Sequence, residues 1–72
     1  MINVNKLKGK IVENGLKVGE LALKIGIDRS TFYRKLKNQG DSFTIREVNL
    51  ICKELKLTKD EAMEIFFTNY VA

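Results

Sequence analysis

Val18-Gly-Glu-Leu-Ala-Leu-Lys-Ile-Gly-Ile-Asp-Arg-Ser-Thr-Phe-Tyr-Arg-Lys-Leu36 carries apolar residues at helical spacing on both sides of a break. Leu21, Ala22 and Ile25 recur at one- to four-residue steps before it, and Phe32 and Leu36 lie one turn apart after it. At the break, Gly26 tolerates the positive φ that a sharp turn after a helix demands. Asp28 is a good N-cap for a second helix. Ala22, one turn before the glycine, is small enough to let two helices approach closely. The spacing predicts a helix over residues 18–25, a tight turn at 25–28, and a second helix beginning after Asp28 and running to about residue 37. Leu21, Ile25, Ile27, Phe32 and Leu36 then form one core seam.

The outer face of that second helix is the chemically informative one. At about 100° per residue, Phe32 and Leu36 lie about 40° apart and define the buried side. Ser30, Arg34 and Lys37 cluster within about 60° of each other opposite them. Arg29 and Tyr33 flank this side at one edge, Thr31 and Lys35 at the other. After its cap the helix holds no acid. A solvated helix usually mixes both signs, whereas one that enters a groove lined by phosphates should not. Arginine can make bidentate bonds to guanine edges, and lysine suits phosphate, which positions without specifying sequence. Tyr33 either stacks on a sugar or thymine methyl, or covers the edge of the core.

Outward from this stretch the helical period continues, and no segment alternates like a strand. Val4, Leu7 and Ile11 mark a first helix over about 4–14, with Gly15 as its stop. Residues 38–42, Asn-Gln-Gly-Asp-Ser, read as a loop. Thr44 and Glu47 form a capping box, with Phe43 and Val48 as its hydrophobic staple. Thr58 and Glu61 repeat the box, with Leu57 and Ala62 as the staple. A fourth helix is therefore expected over about 45–55, with Ile45, Val48, Ile51, Cys52 and Leu55 inward, and a fifth over about 59–67. The fold class is all-α: a compact five-helix bundle forming one domain over residues 1–72.

Composition narrows the function. A chain of 72 residues buries only about 60% of its unfolded surface, which disfavours a large catalytic cleft. There is no histidine, so Ser/His and Cys/His catalysis and the usual zinc sites are excluded. No catalytic set, metal site or cofactor is expected, nor a small-molecule ligand. Cys52 stands alone and reads as a small buried hydrophobe. No apolar run approaches the roughly 18 residues of a membrane span, and the N-terminus is too polar for a signal peptide. A soluble, cytoplasmic protein is the expectation. The net charge of +4 is uneven: residues 1–40 hold nine Lys/Arg against three Asp/Glu, while residues 41–72 hold four against six. The basic half is the one that would face a polyanion. Lys6, Lys8 and Lys10 on the first helix are either solvated or flanking phosphate contacts.

Leu21-Ala22, Ile25-Gly26-Ile27, Asp28, Arg29-Ser30-Thr31 and Phe32, together with Thr44-Ile45 and Leu50 to Thr58, resemble the lambdoid phage repressor and Cro (Xre-type) helix-turn-helix family. The resemblance covers about residues 4–67 and implies a lambda repressor-like DNA-binding domain. It implies that the second helix of the motif lies in the major groove of double-stranded DNA, with Arg29, Ser30, Tyr33 and Arg34 at base edges. Backbone contacts would fall to Lys17, Gly19, Thr31, Lys35, Lys37 and Asn38, with Gln39 beside them. Two places depart from the family pattern. Lys17-Val18-Gly19 lacks the usual Ser or Thr cap and nearby Gln, so that contact falls to the backbone or to Lys17. Lys35-Leu36 inverts the usual order, so either the helix is rotated or the core closes through Leu36.

Ile65, Phe66, Phe67, Tyr70 and Val71 give the C-terminus more apolar surface than one short helix hides. Part would close the core, and Phe66, Phe67, Tyr70 and Val71 would build a homodimer interface, with Leu50 able to join it. A sequence-specific DNA-binding regulator is expected, a phage or prophage repressor of the Cro type that occludes a promoter as a dimer. The rival is a protein-binding antirepressor or modulator on the same scaffold, working through residues 65–71.

Overall fold

Three helices end in the same way, and those endings set the architecture. The structure, a computed structural model, describes residues 2–38 and 42–68. Five helices run in order: α1 (Val4–Glu13), α2 (Val18–Lys24), α3 (Arg29–Lys37), α4 (Ile45–Glu54) and α5 (Lys59–Phe66). At the end of α1 the Gly15 and Leu16 N–H groups donate to Val12 O (2.8 Å) and Ile11 O (3.1 Å). At the end of α2, Gly26 and Ile27 donate to Leu23 O (3.2 Å) and Ala22 O (2.9 Å). At the end of α4, Lys56 and Leu57 donate to Lys53 O (3.3 Å) and Cys52 O (3.0 Å). Each is a Schellman motif, in which a left-handed residue reverses the chain and the next one turns an apolar side chain back inward. The left-handed position is Gly15 (φ 73°), Gly26 (φ 76°) and, without a glycine, Lys56 (φ 51°). Leu16, Ile27 and Leu57 all pack on the core.

The starts are equally regular. Asn3 Oδ1 accepts from Lys6 N (3.1 Å) at α1. Asp28 accepts from Ser30 N (3.0 Å) and Thr31 N (3.3 Å) at α3. Both capping boxes form: Thr44 with Glu47, and Thr58 with Glu61. The α2 start lacks a side-chain acceptor at Lys17, but the Glu20 carboxylate accepts the Lys17 N–H at 2.8 Å. Only the returning half of a box is therefore present there.

Leu7, Ile11, Leu21, Ala22, Ile25, Phe32, Leu36, Ile51, Leu55, Ile65 and Phe66 form one buried cluster. Most of the core seam read around Gly26 is thus internal, Ile27 being partly buried against it, and the core does close through Leu36. Two expectations are corrected. Ile45 is 82% exposed, because the inward stripe of α4 begins a turn later at Val48 and nothing covers its first residue on that side. Phe66, expected at a dimer interface, is only 8% exposed: with Ile65 it forms the inward face of α5. Leu50 is likewise packed against the core. Phe67 is 43% exposed, and Tyr70 and Val71 lie outside the described residues. Asn3 N donates to Ile65 O (2.8 Å), tying the start of α1 to α5, and Asn14 Nδ2 donates to Leu55 O (3.3 Å), tying the ends of α1 and α4. No described helix is long and apolar enough to cross a membrane.

Candidate nucleic-acid interface

The α2–α3 pair packs more extensively than any other pair of helices, and this fixes which side of α3 is left outward. Phe32 and Leu36 point into the core, with the Phe32 ring against Phe43 at 5.3 Å between centroids and 57° between planes. The Asp28 cap fixes the first turn, and Arg29, Ser30, Tyr33, Arg34 and Lys37 are all exposed. Asn38, also exposed, closes the helix with its N–H on Arg34 O (3.1 Å). Gln39 lies outside the described residues.

The residues expected to touch DNA fall into three places. Ser30, Arg34 and Lys37 share the outer face of α3. Lys17, Gly19, Arg29 and Tyr33 come together on a groove of about 350 Å³ between the starts of α2 and α3, which Glu20 and Leu23 complete. Thr31 and Lys35 lie on the far flank, both half-buried. Lys35 is occupied there: its Nζ donates to both Glu47 oxygens, at 2.7 and 2.9 Å, and sits 5.8 Å from the Phe43 ring centroid. A lysine so engaged belongs to the joint between α3 and α4, so the phosphate set is better drawn without it. Burial by itself would raise the Glu47 pKa, but hydrogen bonds from Lys35 and the Thr44 N–H outweigh it and hold the carboxyl below its ordinary value.

The cations differ in what they touch. On α1, Lys6 pairs with Glu64, and Lys10 pairs with Glu61 and Glu13. The hydrogen bond from Lys10, helped by the Thr58 N–H, holds Glu61 down at about 2. Among the described residues, no carboxylate pairs with Lys17, Arg29, Arg34 or Lys37. Lys6 and Lys10 are thus neutralised against α5, while the outer face of α3 keeps its positive field. Cys52 is half-buried, and burial pushes its thiol above the ordinary range, the opposite of what a reactive cysteine needs. Among the described residues no group of three or more acids or cysteines gathers as metal ligands.

Two features of this region carried little signal in the sequence. Glu47 is legible as a helix cap, but nothing local links residue 47 to residue 35. Leu23, 65% exposed on the rim of the groove, falls off the apolar stripe of α2 and gave no reason to notice it.

The fold and the capped, cationic α3 can be set beside known families. A family model for the Cro/C1-type HTH DNA-binding domain matches residues 6–67. The chain belongs to that family. As a Cro/C1-type domain it binds double-stranded DNA, and the helix-turn-helix is the α2–α3 pair around Gly26. No curated protein and no solved structure matches the chain.

Proposed function

We propose that this Cro/C1-type domain is a sequence-specific transcriptional regulator, a phage or prophage repressor acting in the bacterial cytoplasm. It would bind as a homodimer and block a promoter by covering it. The outer face of α3 lies in the major groove, where Ser30, Tyr33 and Arg34 meet base edges. Lys17, Thr31, Lys37 and Asn38 meet the flanking backbone, Gly19 being buried beneath Arg29. Arg29, expected in the base set, lies back across Gly19 and is not included in it.

One observation carries this reading. Among the described residues the cations that face outward on α3 have no acidic partner and the helix carries no acid after its cap, whereas Lys6 and Lys10 on α1 are paired. A helix exposed only for solubility has no reason to carry a single sign of charge along its outer face. The antirepressor alternative needs residues 65–71 as its working surface, and the inward packing of Ile65 and Phe66 removes much of it. Selection of binding sites from a random duplex pool tests the proposal. A single motif with two symmetric halves about 34 Å apart is expected of a two-fold dimer. A pool that enriches no motif would contradict sequence-specific regulation, and an asymmetric half-site would contradict the dimer.

A further inference from the structure

We infer that Gly19 is a positioning residue: by having no side chain, it seats the Arg29 guanidinium across the first turn of α2. There, beside Lys17, Arg29 grips a backbone phosphate instead of reading a base. This rests on the DNA reading above and assigns Arg29 a different part in it.

A Cβ built on Gly19 would stand 2.7 Å from Arg29 Nε, 3.2 Å from Nη2 and 3.3 Å from Cζ. The guanidinium therefore fills the space that a side chain at residue 19 would take. Gly19 is buried although its neighbours Lys17 and Glu20 are exposed, so Arg29 is part of what covers it. Nothing in the backbone demands glycine here. The φ of Gly19 is not in the left-handed region, and glycine weakens a helix relative to alanine. What glycine allows is the close approach of Arg29.

The neighbours limit what a guanidinium in this seat can do. Lys17, Arg29 and Tyr33 line one groove with Glu20. The Glu20 carboxylate accepts the Lys17 backbone N–H at 2.8 Å and forms no ion pair with Arg29. Arg29 lies against the first turn of α2, at the edge of the face that carries Ser30, Arg34 and Lys37. Its planar fork matches phosphate geometry, and holding it in place beforehand lowers the rotamer entropy lost on binding.

The test compares wild type, Gly19→Ala, Arg29→Ala and the double variant. Each is titrated with a mixed-sequence duplex over a salt series, alongside thermal melts. Gly19→Ala should melt at or above the wild-type temperature, because alanine favours the helix and the arginine tip can swing away. It should nevertheless bind about tenfold more weakly, with a log K against log salt slope flatter by about 0.9. Arg29→Ala should do the same, and Gly19→Ala should add nothing to it. Four results would overturn the proposal: wild-type binding by Gly19→Ala, a Gly19→Ala effect that persists without Arg29, a clear loss of fold in Gly19→Ala, or an Arg29→Ala variant that changes sequence preference with its salt slope intact. A wild-type chain with no salt-dependent binding would instead bring down the DNA reading itself.

Discussion

Lys35 and Lys37 stand two residues apart on α3 and have different work. Lys35 bends over the Phe43 ring onto Glu47 and spends its charge holding α3 to α4, while Lys37 is exposed and pairs with no acid among the described residues. Arg34 is exposed on the same outer face as Lys37, the face proposed to enter the major groove. These two free cations should be separable by experiment. Arg34→Ala is expected to weaken binding by about 1–3 kcal/mol and to relax preference at one base position. Lys37→Ala is expected to weaken all sequences alike and to reduce the salt slope by about one. Competition titrations against a panel of single-base variants of the selected site would show the difference, and identical behaviour would refute the division of labour. The residue types on α3 were readable as a cationic face, but the engagement of Lys35 was not. Its partner is supplied by another helix, and residue type alone carries no record of a contact twelve positions away.

At the scale of the helix, the ends hold most of the information. Gly15, Gly26, Asp28 and both Thr-x-x-Glu boxes announced their roles because capping chemistry is local: the acceptor and the N–H it satisfies lie within a few residues. The α4 terminus was legible only approximately, since Lys56 occupies a left-handed position (φ 51°) that composition assigns to glycine. A side chain there costs of order 1 kcal/mol, so Lys56→Gly should raise the melting temperature by about 4–8 °C in a domain of this size. Thermal denaturation followed by circular dichroism measures this, and a lower melting temperature would show that Lys56 has an offsetting role. The α5 start makes a second prediction. Glu61 has an ordinary pKa of 4.5 and is lowered to about 2 in the folded chain, first through its hydrogen bond from Lys10. The folded state thus binds fewer protons than the unfolded one between those values. The resulting stability is complete above about pH 4.5 and is lost as pH falls toward about 2. Glu61→Gln keeps an acceptor for the Thr58 N–H but removes the charge. It should melt lower than wild type near neutrality, with the gap closing in acid. A gap that stayed constant with pH would refute the charge as its cause.

Over the whole molecule the two sides divide their tasks. The α1–α5 side is tied by ion pairs and by the Asn3 to Ile65 hydrogen bond, on helices other than the α2–α3 pair. Fold class and the order of helices could be read from period and caps alone, because the apolar stripes and the stops agree with each other along the whole chain. The fate of the C-terminal apolar residues could not. Apolar residues near the C-terminus do not say which of them the core will claim, and α5 turned Ile65 and Phe66 inward while leaving Phe67 out. The central claim is that the outer face of α3 and the start of α2 meet DNA while the α1–α5 side does not. Amide chemical shifts tracked during titration with a mixed-sequence duplex test it most directly. Shifts should concentrate at Lys17, Gly19, Ser30, Tyr33, Arg34 and Lys37, recede as salt is added, and leave Lys6, Lys10, Glu61 and Glu64 unmoved. Shifts centred on the α1–α5 side or on Phe67, with α3 silent, would contradict the account.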